Sequence, residues 1–183
     1  GEYREFGNTI TADSDNVTID GSSGAVVNVS GADIDVADQD KIAISNLLFE
    51  GNDDGANAVI NGSAGPTNTT ITDNEFRNYS SPVISLTLAD SSGDEDKTTI
   101  ESNILTTGIS ATAIEIDPSE LSDSGDGVSI RNNDITLDNN AAQAGIYLNS
   151  DGSGYTAQVT LENNAIEGGE NTVNGIQAAG DAN

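Results

Sequence analysis

Short apolar segments recur along this chain at a nearly constant interval, and this period restricts the fold more than any other feature of the sequence. An isoleucine or leucine occupies six equivalent positions that lie 25 to 31 residues apart: Ile19, Ile44, Ile71, Ile100, Ile130 and Leu161. Each position lies in a short β-branched segment between clusters of Gly, Asn, Asp and Ser, which indicates strands separated by turns. A period of this length is typical of solenoids, in which each repeat packs on the next.

Two further sets of apolar positions share the period. The second set alternates apolar residues with polar or small ones, as expected for a strand with one face on a core. It consists of the pairs Ile10/Ala12, Ile34/Val36, Ala58/Ile60, Ile84/Leu86, Ile114/Ile116, Ile146/Leu148 and Ile176/Ala178. The third set follows the first by five residues and consists of Phe49, Phe76, Leu105, Ile135 and Ile166. We therefore predict an all-β fold, a parallel β-helix of about six coils with three short strands per coil, formed by residues 1–183 as a single domain.

A column of asparagines accompanies the apolar sets. Asn74, Asn103, Asn133 and Asn164 each lie three residues after a position of the first set. Stacked asparagines can bond to one another and to the turn backbone, and asparagine tolerates the left-handed conformation of a sharp corner. The column is interrupted at Leu47, whose neighbour is Asn46. We expect a hydrogen-bonded ladder; the alternative is that these are ordinary turn asparagines.

The repeating unit resembles that of a known family. Thr98–Leu105 and Val128–Ile135 are similar to the repeat of right-handed parallel β-helix proteins of the pectate-lyase-like type, and Asn16–Gly21 is similar to their first coils. The resemblance implies a right-handed coil over roughly residues 8–180. It implies no particular activity, because the same repeat serves lyases, glycosidases, adhesins and viral spikes.

The catalytic residues of that family do not map onto this chain. Its pectin-hydrolysing members share a pair of aspartates, a third aspartate, a histidine and an Arg-x-Lys; this chain has the pair Asp53-Asp54, but no histidine and no Arg-x-Lys. Gly51–Gly55 has the composition of a turn, so we interpret the pair as solvated. The basic candidates for a lyase, Arg77, Lys97 and Arg131, are far apart along the chain. We therefore predict no catalytic and no cofactor-binding residues, and favour a non-enzyme.

Charge and composition exclude other classes of function. The chain has 31 acidic residues against 5 basic ones, a net charge of −26. Such a surface repels nucleic acids and anionic membranes, and no apolar run is long enough for membrane insertion. Because cysteine and histidine are absent, disulfides, thiol nucleophiles and ordinary zinc sites are excluded, and oxygen ligands must hold any metal. Acidity spread over the whole chain is typical of salt-adapted proteins, so we expect a haloarchaeal source.

Acidic loops lengthen at one corner of the predicted solenoid, after the second set of strands. They contain the aspartates that could form an oxygen-ligated calcium site across neighbouring coils: Asp90, Asp94, Asp96, Asp123, Asp126 and Asp151. Their spacing matches no EF-hand and no nonapeptide calcium repeat. Calcium is therefore a candidate cofactor, and the alternative is a solvated acidic surface.

Two asparagines are candidates for glycosylation. Five Asn-x-Ser/Thr sequons occur in the chain, and those at Asn16 and Asn78 flank predicted strands, where the side chains should be exposed. The fold resemblance and the cysteine-free surface rich in Asn, Ser and Thr favour an extracellular or cell-surface location.

The two ends of the predicted solenoid differ. Residues 1–9 could cap the first coil, with Tyr3 and Phe6 as a small plug, whereas Gly175–Ala178 is a seventh strand of the second set with nothing to cover it. Natural β-helices cover such edges, so we expect the C-terminal edge to be covered by more polypeptide or by another subunit. We predict a non-catalytic structural or adhesive module that could build a filament, stalk or appendage. The alternative is a carbohydrate-binding or polysaccharide-active β-helix whose catalytic residues lie outside this chain.

Overall fold

The three apolar sets form three parallel β-sheets that run the length of the molecule. The structure is a computed structural model and describes residues 2–6, 10–12, 14–22, 25–30, 34–36, 38–51, 59–63, 65–79, 82–89, 97–107, 112–118, 121, 126–137, 144–149, 158–168 and 174–179. Regular structure within these residues consists of twenty strands, with no helix. None of the described residues therefore belongs to a helix capable of crossing a membrane.

Successive strands along the chain pass from sheet 1 to sheet 2 to sheet 3, and every strand pairs in parallel with its equivalent one coil away. Sheet 1 contains β1 (Glu2–Phe6), β4 (Val26–Ser30), β7 (Leu48–Glu50), β10 (Glu75–Tyr79), β13 (Ile104–Thr107), β16 (Asp134–Leu137) and β19 (Ala165–Gly168). Sheet 2 contains β2 (Ile10–Thr11), β5 (Ile34–Asp35), β8 (Ile60–Gly62), β11 (Ile84–Thr87), β14 (Ile114–Asp117), β17 (Ala144–Asn149) and β20 (Asn174–Ala179). Sheet 3 contains β3 (Thr18–Asp20), β6 (Ala43–Ser45), β9 (Thr70–Thr72), β12 (Lys97–Glu101), β15 (Gly127–Arg131) and β18 (Gln158–Glu162). This topology confirms the all-β parallel solenoid.

The number of coils differs slightly from the expected six. Sheets 1 and 2 contain seven strands each and sheet 3 contains six. Residues 2–6 supply the additional strand of sheet 1: β1 pairs in register with β4, so that this segment continues the sheet and does not lie across the end of it as a plug. A strand in this place pairs main-chain groups that the edge of β4 would otherwise expose.

The first and third apolar sets have the predicted register. Ile71, Ile100 and Ile130 are aligned in sheet 3 and are fully buried. In sheet 1, the rings of Phe49 and Phe76 stack with centroids 4.7 Å apart and planes within 2° of parallel. This separation matches the spacing of neighbouring strands, because side chains in one column repeat once per coil.

One position of the second set is wrong by two residues. The sequence pattern aligns Ala58 with Ile34, whereas the structure aligns Ile60 with Ile34 and with Ile84; Ala58 itself lies outside the described residues. Gly62 then occupies an inward position, and a side chain there would have no room, since a Cβ would lie 2.6 Å from Cγ of Pro66. The proline ring fills the space that an aliphatic residue occupies in other coils.

The corner between sheets 3 and 1 has a left-handed residue in each of five successive coils. The φ angles are between 52° and 57°, and the residues are Asn46, Asp73, Ser102, Asn132 and Asn163. Three of the five are asparagine, the non-glycine residue that accepts this conformation most readily. The asparagine column occupies the next position along the chain, directly inside this corner.

Candidate functional site

The asparagine column is a continuous hydrogen-bonded ladder. Asn103 Nδ2 donates to the carbonyl oxygen of Ile71 at 2.9 Å and to Oδ1 of Asn133 at 3.1 Å. The backbone N–H of Asn103 also donates to Oδ1 of Asn133, at 3.0 Å. Asn74 and Asn133 repeat all three bonds with their own neighbours. Each coil therefore offers two donors and one acceptor to the carboxamide of the following coil, which excludes the alternative of ordinary turn asparagines.

The last coil is much less buried than the coil before it. Ile176 of β20 is 51 % exposed, whereas its partner in β17, Ile146, is fully buried. Leu161 of β18 and Ile166 of β19 are half-buried, although their partners in β15 and β16 are fully buried. Among the described residues, β18, β19 and β20 are the final strands of their sheets. We call the surface formed by these strands and Asn164 the C-terminal face.

Asn164 is the last rung of the ladder within this face. Its Oδ1 accepts hydrogen bonds from the N–H of Asn133 at 3.1 Å and from Asn133 Nδ2 at 2.9 Å. Its own Nδ2 donates to the carbonyl oxygen of Ile130 at 2.8 Å. In Asn133, the N–H and one hydrogen of Nδ2 donate to Oδ1 of Asn164. Within the described part of the chain, no carboxamide oxygen of a further coil accepts from the same two groups of Asn164. The ladder geometry is therefore complete up to this rung and open beyond it.

The opposite end of the solenoid has a different corner. Leu47 replaces the asparagine in the second coil; its side chain is buried and packs over Gly21, where a Cβ would lie 2.6 Å from Leu47 Cδ2. The N–H of Leu47 donates to Oδ1 of Asn74 at 3.1 Å, and this bond is where the ladder begins. The connection between β3 and β4, residues 21–25, contains no asparagine. The two ends therefore present different chemistry at the same corner.

Comparison of the chain with protein-family models, with curated proteins and with solved structures found no match in any of the three.

The predicted calcium ligands are described at one position. Asp126 is buried at the start of β15, and its backbone carbonyl accepts a hydrogen bond from the N–H of Gln158 at 3.1 Å. The other five lie outside the described residues: Asp90, Asp94, Asp96, Asp123 and Asp151. Across the residues that are described, no group of three or more acidic side chains is arranged to hold a metal ion. The calcium site stays a prediction.

Both glycosylation candidates are exposed. Asn16 precedes β3 and Asn78 lies in β10, and each has a φ of 61°. The pairing of β10 with β13 shifts its register between Arg77 and Tyr79, so Asn78 bulges out of the sheet while Tyr79 turns inward. The sequence indicates exposure at these sites but not the bulge, which depends on how β10 pairs.

The basic candidates for a lyase lie on three different strands, and two of them pair with carboxylates. Arg77 pairs with Glu75 on its own strand at 2.5 Å, and Arg131 pairs with Glu101 one coil away at 2.9 Å. The hydrogen bond from Arg131 holds the pKa of Glu101 below its ordinary value. Lys97 begins β12 and is exposed there. The pair Asp53-Asp54 lies outside the described residues.

Two surface features, a groove beside sheet 3 and a pair of carboxylates on sheet 2, are not predicted from the sequence. A shallow groove of about 190 Å³ lies beside the outer face of sheet 3, and the residues that line it include Lys97, Thr99, Asp126, Ser129, Gln158 and Thr160. On sheet 2, Glu115 and Asp117 project from the same face of β14, because they are two residues apart. Burial, together with the charge of Asp117, raises the pKa of Glu115 above its ordinary value. The alternation Ile-Glu-Ile-Asp contains this pairing, but the sequence does not reveal the burial.

Proposed function

We propose that this chain is a non-catalytic structural module of a salt-adapted protein at the cell surface, and that a further β-coil covers its C-terminal face in the working molecule. The observation that supports this most directly is the abrupt loss of burial in the last coil. The aliphatic columns and the asparagine ladder continue into that coil with unchanged phase, so it has the geometry of an inner coil with one neighbour missing. The covering coil belongs either to more of the same polypeptide or to another subunit.

Energetics favour the same conclusion. Three parallel strand edges and half-buried aliphatic side chains form one continuous surface, which is the kind of edge that natural β-proteins cover or pair. Each additional coil buries aliphatic residues at a gain of about 25 cal/mol for each Å² removed from water. A rigid rod that lengthens by one coil at a time suits a stalk, a spacer or a surface appendage.

Hydrogen exchange tests this proposal on the intact chain in molar NaCl. We expect the amides of β18 and β20 to exchange much faster than those of β12 and β14, because the last coil has a neighbour on one side only. Equal protection of these four strands would mean that the end covers itself, and the proposal would be abandoned.

A pair of matched variants separates an interaction surface from a core. Ile176→Asp should leave the melting temperature nearly unchanged, because Ile176 is 51 % exposed, whereas Ile146→Asp should abolish folding, because Ile146 is fully buried. Equal destabilisation by the two changes would show that Ile176 belongs to a closed core.

The groove beside sheet 3 favours carbohydrate binding as a second candidate function. Its hydroxyl, amide and charged side chains are the kinds of group that hydrogen-bond to sugars. Because the net charge of −26 repels anionic polymers, the ligand would be a neutral polysaccharide. Retention of the chain on immobilised neutral polysaccharides, reduced by Thr99→Val with Gln158→Ala, would support this function; no retention in high salt would exclude it.

A further inference from the structure

We infer that the C-terminal face contains a binding site for the carboxamide of an asparagine, and that the coil covering this face carries an asparagine in phase with the ladder. The inference rests on the function proposed above, and it names the chemistry of the partner.

Three main-chain and side-chain groups form the site. At Asn103 and Asn133, the carboxamide accepts from the N–H and from Nδ2 of the preceding asparagine, and it donates to the carbonyl of the preceding first-set residue. On the C-terminal face, Asn164 supplies the two donors, and Leu161 supplies the carbonyl that is next in the column after Ile130. The arrangement has two donors and one acceptor, and it is set by coils that are already in place.

A carboxamide can satisfy all three groups, whereas a carboxylate or an aliphatic side chain cannot. An ionised carboxylate can accept from Asn164 but cannot donate to the Leu161 carbonyl. An aliphatic side chain would cover the three groups without bonding to any, and each buried unpaired polar group is costly. The site therefore distinguishes between partners with similar apolar columns.

The N-terminal end of a second copy does not fit this site. The first coil has no asparagine in the connection between β3 and β4, and the second coil has Leu47 in the ladder position. A copy stacked head to tail would therefore leave the donors of Asn164 without a carboxamide. The partner is a coil other than the N-terminal coils of this chain.

Lengthening the chain by one coil tests the inference. Residues 150–179 are inserted a second time directly after Ala179. Because Ala179 is aligned with Asn149, the copied segment follows β20 in the same way as the original segment follows β17. In one version the copied residue 164 is asparagine; in the matched version it is leucine, as at position 47 of the natural sequence. The measurement is hydrogen exchange of the backbone amide of the original Asn164, with the amides of β12 as an internal control for folding.

We expect both versions to protect the amides of β18, and we expect the asparagine version to slow exchange at Asn164 by a further factor of about ten. Equal rates at Asn164 in the two versions would overturn the inference while leaving the proposed function intact. Failure of both versions to protect β18, with β12 still protected, would overturn the proposed function as well. Growth of the unmodified chain into head-to-tail filaments, observed by sedimentation and electron microscopy, would also overturn the inference.

Discussion

At the scale of single residues, the ladder asparagines satisfy main-chain groups that a sharp corner would leave unpaired. Asn103 is fully buried, yet its N–H and its whole carboxamide are hydrogen-bonded. A buried polar group costs free energy only when it lacks partners. The asparagines therefore specify the phase of neighbouring coils, which aliphatic contacts alone specify less sharply.

Truncating an inner rung should cost more than truncating the last one. Asn103→Ala removes the acceptor of Asn74 and the donor to Ile71, so we expect a loss of about 3 kcal/mol in the free energy of unfolding. The same change at half-buried Asn164 should cost about 1 kcal/mol, because water can reach the groups that lose their partner. Urea unfolding in molar NaCl measures both values; equal losses would mean that the last rung is as closed as the inner rungs.

The pKa of Glu115 gives a prediction about pH. Because burial and the charge of Asp117 raise this pKa above the ordinary value of 4.5, folding favours the protonated carboxyl. The stability that this group contributes is fully present below the unfolded pKa and is lost as the pH rises through the folded pKa. Glu115→Gln should therefore raise the melting temperature at pH 7 and change it little at a pH below the unfolded pKa, where the carboxyl is already protonated. Thermal unfolding followed by circular dichroism measures both effects. Glu162→Gln on an exposed side chain removes the same charge. If it raised the melting temperature equally at pH 7, net charge and not burial would be the cause.

At the scale of strands, the sequence predicts the alignment of neighbouring coils wherever the same type of side chain recurs in every coil. The first set could be aligned to the residue because isoleucine or leucine recurs at each position. The predicted alignment of the second set is wrong at Gly62, where Pro66 fills the core from another part of the coil. Because Pro66 does not lie at a repeating position, the sequence period does not show that it belongs to the core. The exposure of Ile176 follows from its place in the last strand of the second set, because its own sequence pattern equals that of the buried Ile146. The seventh strand of the second set predicts an uncovered edge, and the stacking order shows which apolar residues form it.

A buried charge in sheet 3 tests the register of the strands. Ile100 is fully buried between Ile71 and Ile130, so Ile100→Asp should cost more than about 4 kcal/mol and unfold the chain. Thr99→Asp, one residue away on the outer face, introduces the same carboxylate and should cost less than about 1 kcal/mol. Soluble, cooperative unfolding of Ile100→Asp at the wild-type midpoint would show that the strand faces the other way.

At the scale of the whole molecule, repulsion between carboxylates opposes the stacking of coils. Local partners relieve part of it: the hydrogen bond from Lys41 lowers the pKa of Asp40, and the hydrogen bond from Asn46 lowers that of Asp20. Five basic residues cannot neutralise 31 acidic ones, however. Neighbouring coils lie about 4.8 Å apart, well within the screening length of dilute buffer, so repulsion acts between each coil and the next.

Salt should therefore stabilise this solenoid strongly. The screening length falls from about 10 Å at 0.1 M to about 3 Å at 1 M salt, below the distance between coils. We expect the melting temperature to rise by at least about 5 °C over this range in either NaCl or KCl, a shift that corresponds to one or two kcal/mol for a domain of this size. A variant with three exposed carboxylates neutralised, Asp134→Asn, Glu162→Gln and Glu167→Gln, should respond less steeply, because it has less repulsion to screen. Calcium at constant ionic strength should add further protection only if the acidic corner binds it, and Asp126→Asn should then remove that increment. A melting temperature independent of salt, or equal slopes for the variant and the natural chain, would show that carboxylate repulsion does not limit stability, and the salt-adapted interpretation would fail with it.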